Sequence, residues 1–259
     1  MVMFRLFAKS TSTGEDFLQA NGKMPSLPTV LYAVSIILLF CLFSSDRASA
    51  ETITDTGNKQ GASFLVYIPD GCKKNQKYPW ILGFSPNGRG TRVLNFVKEA
   101  CDRYHWILVA PNNDGRPKPF LSLDATMLDT INTAVEKYPV DPNNMVCLGY
   151  AGGAVEAHHI SVLCPDKVKG VIANCGIIHG AALQSTNYPK GKLAVLIASP
   201  TDYRFMQMRD NAQFLDGRQW KINWLEFRGG HHWAPRRLFS EAVGWMDRQL
   251  PYARTSYAF

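Results

Sequence analysis

Clustered positive charge is missing from this chain. Its longest cationic runs are the pairs Lys73-Lys74 and Arg236-Arg237, within 259 residues of net charge +7. Nucleic-acid binding calls for a concentrated basic footprint, so that class of partner is not expected. Cys-x-x-Cys, His-x-His and His-Glu-x-x-His spacings are absent too. Without them a metal site assembled from His158, His159, His179 and His231 has no spacing to support it, and neither a metal nor another cofactor is expected. There is no internal repeat and no low-complexity tract. Charged residues are only 19% of the chain against 46% hydrophobic ones, the balance of a packed globular protein rather than a disordered one.

Long apolar runs are scarce as well. The longest, Val30 to Phe43, is about fourteen residues, short of the roughly twenty that a spanning helix needs. It is followed by Ala48-Ser49-Ala50, a small-residue pattern that suits signal-peptidase cleavage before Glu51. Residues 1–50 therefore read as an export signal, with Met24 as an alternative start that gives a segment of ordinary length. An uncleaved anchor is the competing reading. Either way the rest of the chain lies outside the cytoplasm, secreted or in the cell envelope, and no stable membrane span is expected after processing. Removing residues 1–50 takes away four Lys/Arg and three Asp/Glu and leaves a charge of +6. The remaining 51–259 fit one α/β domain.

That domain holds Cys72, Cys101, Cys147, Cys164 and Cys175, an odd number in an oxidising compartment, so at least one thiol stays unpaired within the chain. Cys147 sits in an apolar run and reads as a small core residue. Cys164 and Cys175 flank a short connection and could pair.

Along the chain, short apolar or β-branched runs alternate with helical stretches, the βαβ signature of a mostly parallel sheet with helices on both faces. Strands are expected over 62–68, 80–84, 106–110, 145–149, 170–175, 193–198 and 222–227, and helices over 93–104, 121–138, 152–163, 205–215 and 235–250. Gly, Pro and Asn clusters at 69–71, 86–88 and 111–115 mark loops. In the helix that starts at Leu121, the residues Leu121, Met127 or Leu128, Ile131 and Val135 recur near helical spacing and should cover a sheet face. Its Asp124 and Asp129 should face water.

The chemistry concentrates at Met145-Val146-Cys147-Leu148 followed by Gly149-Tyr150-Ala151-Gly152-Gly153. A strand that turns into a helix through Gly-x-Ser-x-Gly is a nucleophile elbow, with glycines where side chains would clash. Here Ala151 holds the serine position. Together with the approach Tyr138-Pro139-Val140-Asp141-Pro142, with Tyr78 to Phe84, and with Gly230-His231-His232-Trp233, this stretch resembles the secreted esterase family of polyhydroxybutyrate depolymerases and feruloyl esterases. The resemblance implies an α/β-hydrolase fold with a small-molecule or polymer ester as ligand. It also selects His231 as the base, with His232 as second choice, and makes the segment Tyr78 to Phe84 the strand leading into an oxyanion loop. Asp202 follows a late strand, where an acid would orient the imidazole; its competing role is a helix N-cap. The backbone N–H groups of Asn87 and Gly152 are the candidate oxyanion donors, since Ser85-Pro86 stands where the family has His-Gly. Tyr150 and Trp233, with Phe84 and Tyr203, are candidates to line a pocket.

A methyl group neither attacks a carbonyl nor gives a proton to histidine. The sequence thus points to an esterase-like scaffold that is inactive or very weak. An active serine-independent hydrolase and an envelope binding protein are the alternatives. The processing reading predicts that exported protein begins at Glu51, which N-terminal sequencing of secreted material checks; an intact, membrane-embedded N-terminus would establish the anchor instead.

Overall fold

In the computed structural model the described residues are 49–56, 62–112, 120–184 and 186–252. Most of the proposed export signal lies outside them, with only Ser49 and Ala50 inside. Residues 47–259 form one unit. None of the described helices is long and apolar enough to cross a membrane.

Eight strands make a single sheet: β1 (Glu51–Asp55), β2 (Ser63–Ile68), β3 (Tyr78–Phe84), β4 (Ile107–Asn112), β5 (Val140–Tyr150), β6 (Val168–Asn174), β7 (Leu193–Ala198) and β8 (Lys221–Glu226), in the spatial order β1-β2-β4-β3-β5-β6-β7-β8. From β4 through β8 all neighbours are parallel, while β2 runs antiparallel to both β1 and β4. Parallel strands need crossovers, and six helices are described: α1 (Gly90–Tyr104), α2 (Phe120–Lys137), α3 (Gly152–Leu163), α4 (Gly180–Leu183), α5 (Phe205–Asp216) and α6 (Arg236–Gln249).

The central strands are buried on both faces, so their side chains sort by parity rather than by polarity. Met145 and Cys147 of β5 point into one core with Trp80 and Leu82 of β3. Val146 and Leu148 point into the other with Ile81. The first core is closed by α2, α3 and α5 through Met127, Ile131, Ala157, Ile160 and Met208. The second is closed by α1 and α6 through Val93, Val97, Phe239 and Val243. Burying a large apolar side chain on this scale contributes about 2 kcal/mol each, which is why the strands tolerate almost no polar residue.

Several expectations need correction. The strand read as 145–149 starts at Val140, which pairs with Tyr78 ahead of an irregularity that brings Met145 opposite Trp80. β4 continues through Pro111 and Asn112, which pair with β2. Cys164 and Cys175 do not pair: they lie near opposite ends of the seven-residue β6, and at about 3.3 Å per residue that strand is far longer than a disulfide can span. All five cysteines of the described domain are free and buried. Asp124 does not simply face water, since its Oδ1 lies 2.8 Å from His159 Nε2.

His158, beside it on α3, is fully buried with Nδ1 2.9 Å from the Tyr188 hydroxyl. Burial disfavours its charged form and lowers its pKa to about 3. The unfolded chain therefore takes up a proton near pH 6.5 that the folded chain refuses until about pH 3. Stability falls as pH drops through that window, by roughly 1.4 kcal/mol per unit. His158→Gln should flatten the acid limb, worth about 2 kcal/mol between pH 6.5 and 5; urea unfolding of both proteins across that range measures it, and parallel profiles would contradict it.

Candidate active site

Because β3 and β5 through β8 are parallel, their carboxyl ends share one edge of the sheet, the edge where open α/β sheets bind ligands. Ser85, Ala151, Asn174, Asp202 and His231 all follow or close those ends.

At the end of β5 the chain passes into α3 through one residue. Ala151 adopts φ 51° and ψ −116°, a sparsely populated conformation that costs an L residue about 1–3 kcal/mol. Packing enforces it. A Cβ on Gly149 would lie 2.1 Å from the backbone of Gly153, one on Gly153 would lie 2.5 Å from the Phe84 carbonyl, and one on Gly176 would lie 2.2 Å from Ala154 Cβ. The amide of Ala151 donates to Asn174 O at 2.9 Å, which ties the turn to the end of β6. This is the geometry of an elbow, with a methyl group where its nucleophile would stand.

His231 Nδ1 lies 3.1 and 3.0 Å from the two oxygens of Asp202. The Asp202 side chain is fully buried, while the His231 side chain keeps 24% of its surface open. Burial pushes the Asp202 carboxyl up, but hydrogen bonds from the Cys175 thiol, the Arg204 amide and His231 outweigh it and hold the group below its ordinary value. Asp202 binds the imidazole, and its Oδ1 accepts from Arg204 N at 2.9 Å in the turn before α5, but the N-cap of α5 is Arg204, so Asp202 is not the helix cap.

The loop carrying His231 is pinned from three sides. Gly229 O accepts from the Ser199 and Thr201 hydroxyls. Tyr150 Oη donates to His231 O at 2.6 Å. Just beyond, Ala234 N donates to Asn174 Oδ1 at 3.0 Å. Tyr203, 71% exposed, lies over the His231 ring at 4.7 Å between centroids. His232 is exposed and has no part in the Asp202 pair.

Cys175 is offered by the sequence only as a partner for Cys164, not as a residue of this site. It is buried beside Asp202 with φ 47°, and burial, reinforced by Asp202, raises its pKa and keeps it a neutral thiol. Cys175, Asp202 and His231 bring their ligand-type atoms within 4.8 Å of one another. The direct Asp202–His231 hydrogen bonds occupy the space between those two groups, so the trio is an imidazole–carboxylate pair backed by a thiol. Its only sequence signal is position, one residue past the end of a strand that neighbours β5. The other histidines stay apart: His158 packs against Tyr188, His159 meets Asp124, and His179 caps α4 by accepting from Ala181 N.

Two clefts flank the Ser85–Arg89 loop and share Ser85 and Pro86. The larger, about 500 Å³, takes in Asn87, Arg89, Arg92, Tyr150 and Trp233. The smaller, about 230 Å³, takes in Phe84, Gly152, Gly153, Met127 and Glu156. The two candidate oxyanion donors thus face different clefts. As the first residue of α3, Gly152 presents an amide without an intrahelical acceptor. Burial raises the Glu156 carboxyl above its ordinary value, with His159 opposing and Asp124 adding to the shift.

No family model and no curated protein matches this sequence. Solved structures do. An S-formylglutathione hydrolase from Staphylococcus aureus aligns with TM-score 0.61 at 10% identity, over 77% of this chain and 96% of its own. An esterase from Pyrobaculum calidifontis aligns with TM-score 0.63 at 12% identity, over 90% and 96%. The esterase rPPE, in a doubly substituted form, aligns with TM-score 0.66 at 12% identity, over 92% and 95%. The fold is the α/β-hydrolase fold.

The elbow contacts separate two glycines that look alike in sequence. Gly149→Ala should cost roughly 3 kcal/mol or more, because its Cβ meets backbone that cannot yield. Gly152→Ala meets nothing within 4 Å and should be neutral to about 1 kcal/mol stabilising. Urea unfolding of the two variants checks the contrast; equal effects would mean that the turn is looser than described.

Proposed function

We propose that this chain is an exported α/β-hydrolase-fold protein that binds a carboxylic ester at the elbow and hydrolyses it very weakly or not at all. One observation carries the reading: a hydrogen-bonded His231–Asp202 pair stands at the same sheet edge as an elbow whose central side chain is the methyl of Ala151. An imidazole backed by a carboxylate is a general base, and at an elbow it would take its proton from a nucleophile's hydroxyl. Ala151 has none to give. Removing the serine from a serine hydrolase costs about 10⁶ in turnover, and the residual rate comes from binding and the oxyanion hole. Export rests on sequence alone, on the apolar run Val30 to Phe43 and on Ala48-Ser49-Ala50.

In this reading Gly152 N–H stabilises carbonyl oxygen, His231 is the base, Asp202 orients it, and Tyr150 and Trp233 wall the ligand, while Asn87 lines the other cleft and does not share the hole. The site then lacks a single oxygen atom. Ala151→Ser should raise hydrolysis of short-chain aryl esters by at least about 10²-fold over the native chain. The gain should vanish in Ala151→Ser combined with His231→Ala, with circular dichroism confirming that each variant is folded. Efficient hydrolysis by the native chain that serine does not improve would overturn the proposal in favour of a histidine-activated water. Silence in both folded proteins would overturn the assignment of the oxyanion donor.

A further inference from the structure

The larger cleft carries a charge that ester binding does not require. Arg89 immediately precedes α1 and Arg92 lies one turn into it, a spacing that puts residues on neighbouring parts of a helix face. Both line the cleft and both are exposed. Neither makes an ion pair among the described residues, the first turn of α1 holds no acid, and no Asp or Glu lines this cleft. Uncompensated cations at the mouth of a concave site raise the local concentration of anions. The same cleft is also lined by aromatic rings. Phe96 and Trp233 stack with centroids 4.5 Å apart, and Trp233 continues to Tyr150 at 5.0 Å. Arg92 keeps its guanidinium 5.5 Å from the Phe96 ring centroid, held along the aromatic wall rather than paired away from it.

We infer that the cleft bounded by Arg89, Arg92, Phe96, Tyr150 and Trp233 selects an organic monoanion, a carboxylate carried on an aromatic or apolar body, as the ligand of this site. The inference rests on the reading of the sheet edge as a ligand site, not on any turnover there. Guanidinium forks match a carboxylate through paired N–H donors, and their charge-assisted bonds are about twice as strong as neutral ones. The body of the ligand lies against Trp233 and Tyr150, which places it beside His231 through the Tyr150 hydroxyl contact. The smaller cleft differs: its lining includes Phe84, Met127 and Glu156 and no cation. The two sides of the Ser85–Arg89 loop therefore discriminate by charge, and the anionic end of a ligand is assigned to the larger one.

The test uses the whole exported protein and two isosteric probes, 3-phenylpropanoate and 3-phenylpropanamide, with affinities from titration calorimetry at low salt. The carboxylate should bind at least about tenfold tighter than the amide, and the gap should narrow as salt rises. Arg89→Gln with Arg92→Gln should bring the carboxylate down to the amide's affinity without moving the amide. Both side chains are exposed, so the thermal midpoint should shift by no more than a few degrees. Trp233→Leu should weaken both probes alike. Equal binding of acid and amide, no binding of either, or a preference that survives loss of both arginines would overturn the inference. So would inorganic phosphate binding as tightly as 3-phenylpropanoate, because the aromatic wall would then be idle. A silent Ala151→Ser assay beside an intact charge preference would remove the hydrolase reading and leave this one standing.

Discussion

Strand β5 has to become helix α3 within one residue, and the contact that sets the terms is the backbone of Gly149 against the backbone of Gly153. At 2.1 Å from an added Cβ there is no room for any side chain, so only glycine lets the strand end and the helix start approach this closely. Gly153 in turn sits against the Phe84 carbonyl at the end of β3, and the Ala151 amide is bound by Asn174 at the end of β6. Three neighbouring strands are thereby locked to one turn. Everything else at the site is arranged around a backbone that the protein holds in a costly conformation.

Asn174 links that turn to the histidine loop. It is fully buried. Its carbonyl oxygen accepts from Ala234 N, its amide reaches Ile197 O and the Cys175 sulfur, and its own backbone carbonyl holds Ala151 N. One residue therefore joins the elbow through its backbone, and β7 and the segment after His231 through its side chain, and each of these bonds is formed away from water, where leaving a partner unmade costs about 1–3 kcal/mol. The Ser199 and Thr201 bonds to Gly229 O fix the other end of the same loop. Such bracing holds an imidazole against a buried carboxylate without needing any nucleophile to complete it.

How much of this was legible follows from the physics of each signal. Buried parallel strands announce themselves as apolar runs, so β7 and α3 were read to the residue. The five-residue edge strand β1, mostly exposed and polar, carries no such run, and the four-residue α4 is too short for a helical period. The stretch Asp141 to Asn144 carries no apolar run, so the strand reads as starting at Met145, whereas its pairing with β3 begins at Val140 and continues across an irregularity. At the site, Ala151, Asp202 and His231 stood out through the order in which they follow strands. Cys175 and Asn174 did not, because their importance arises from lateral neighbours that no one-dimensional pattern contains. Arg89 and Arg92 belong to no basic run in the sequence; only the cleft they share with Phe96 and Trp233 gives those charges a direction.

Strain at Ala151 bears on what the site can still do. A sparsely populated backbone persists only where surrounding contacts over-determine it, and here Gly149, Gly153, Gly176 and Asn174 do so without help from the side chain. Alanine and serine share the same backbone restriction and differ by one oxygen, so the turn does not depend on which of them is present. The elbow is thus a property of the packing, and reactivity is a property of one atom placed on it. That separation lets the turn, the His231–Asp202 pair and the clefts hold their shape with a methyl group at position 151. The methyl side chain, without a hydroxyl, cannot form a covalent intermediate at this turn. Under the proposed function, the choice of ligand falls to the clefts on either side of the Ser85–Arg89 loop.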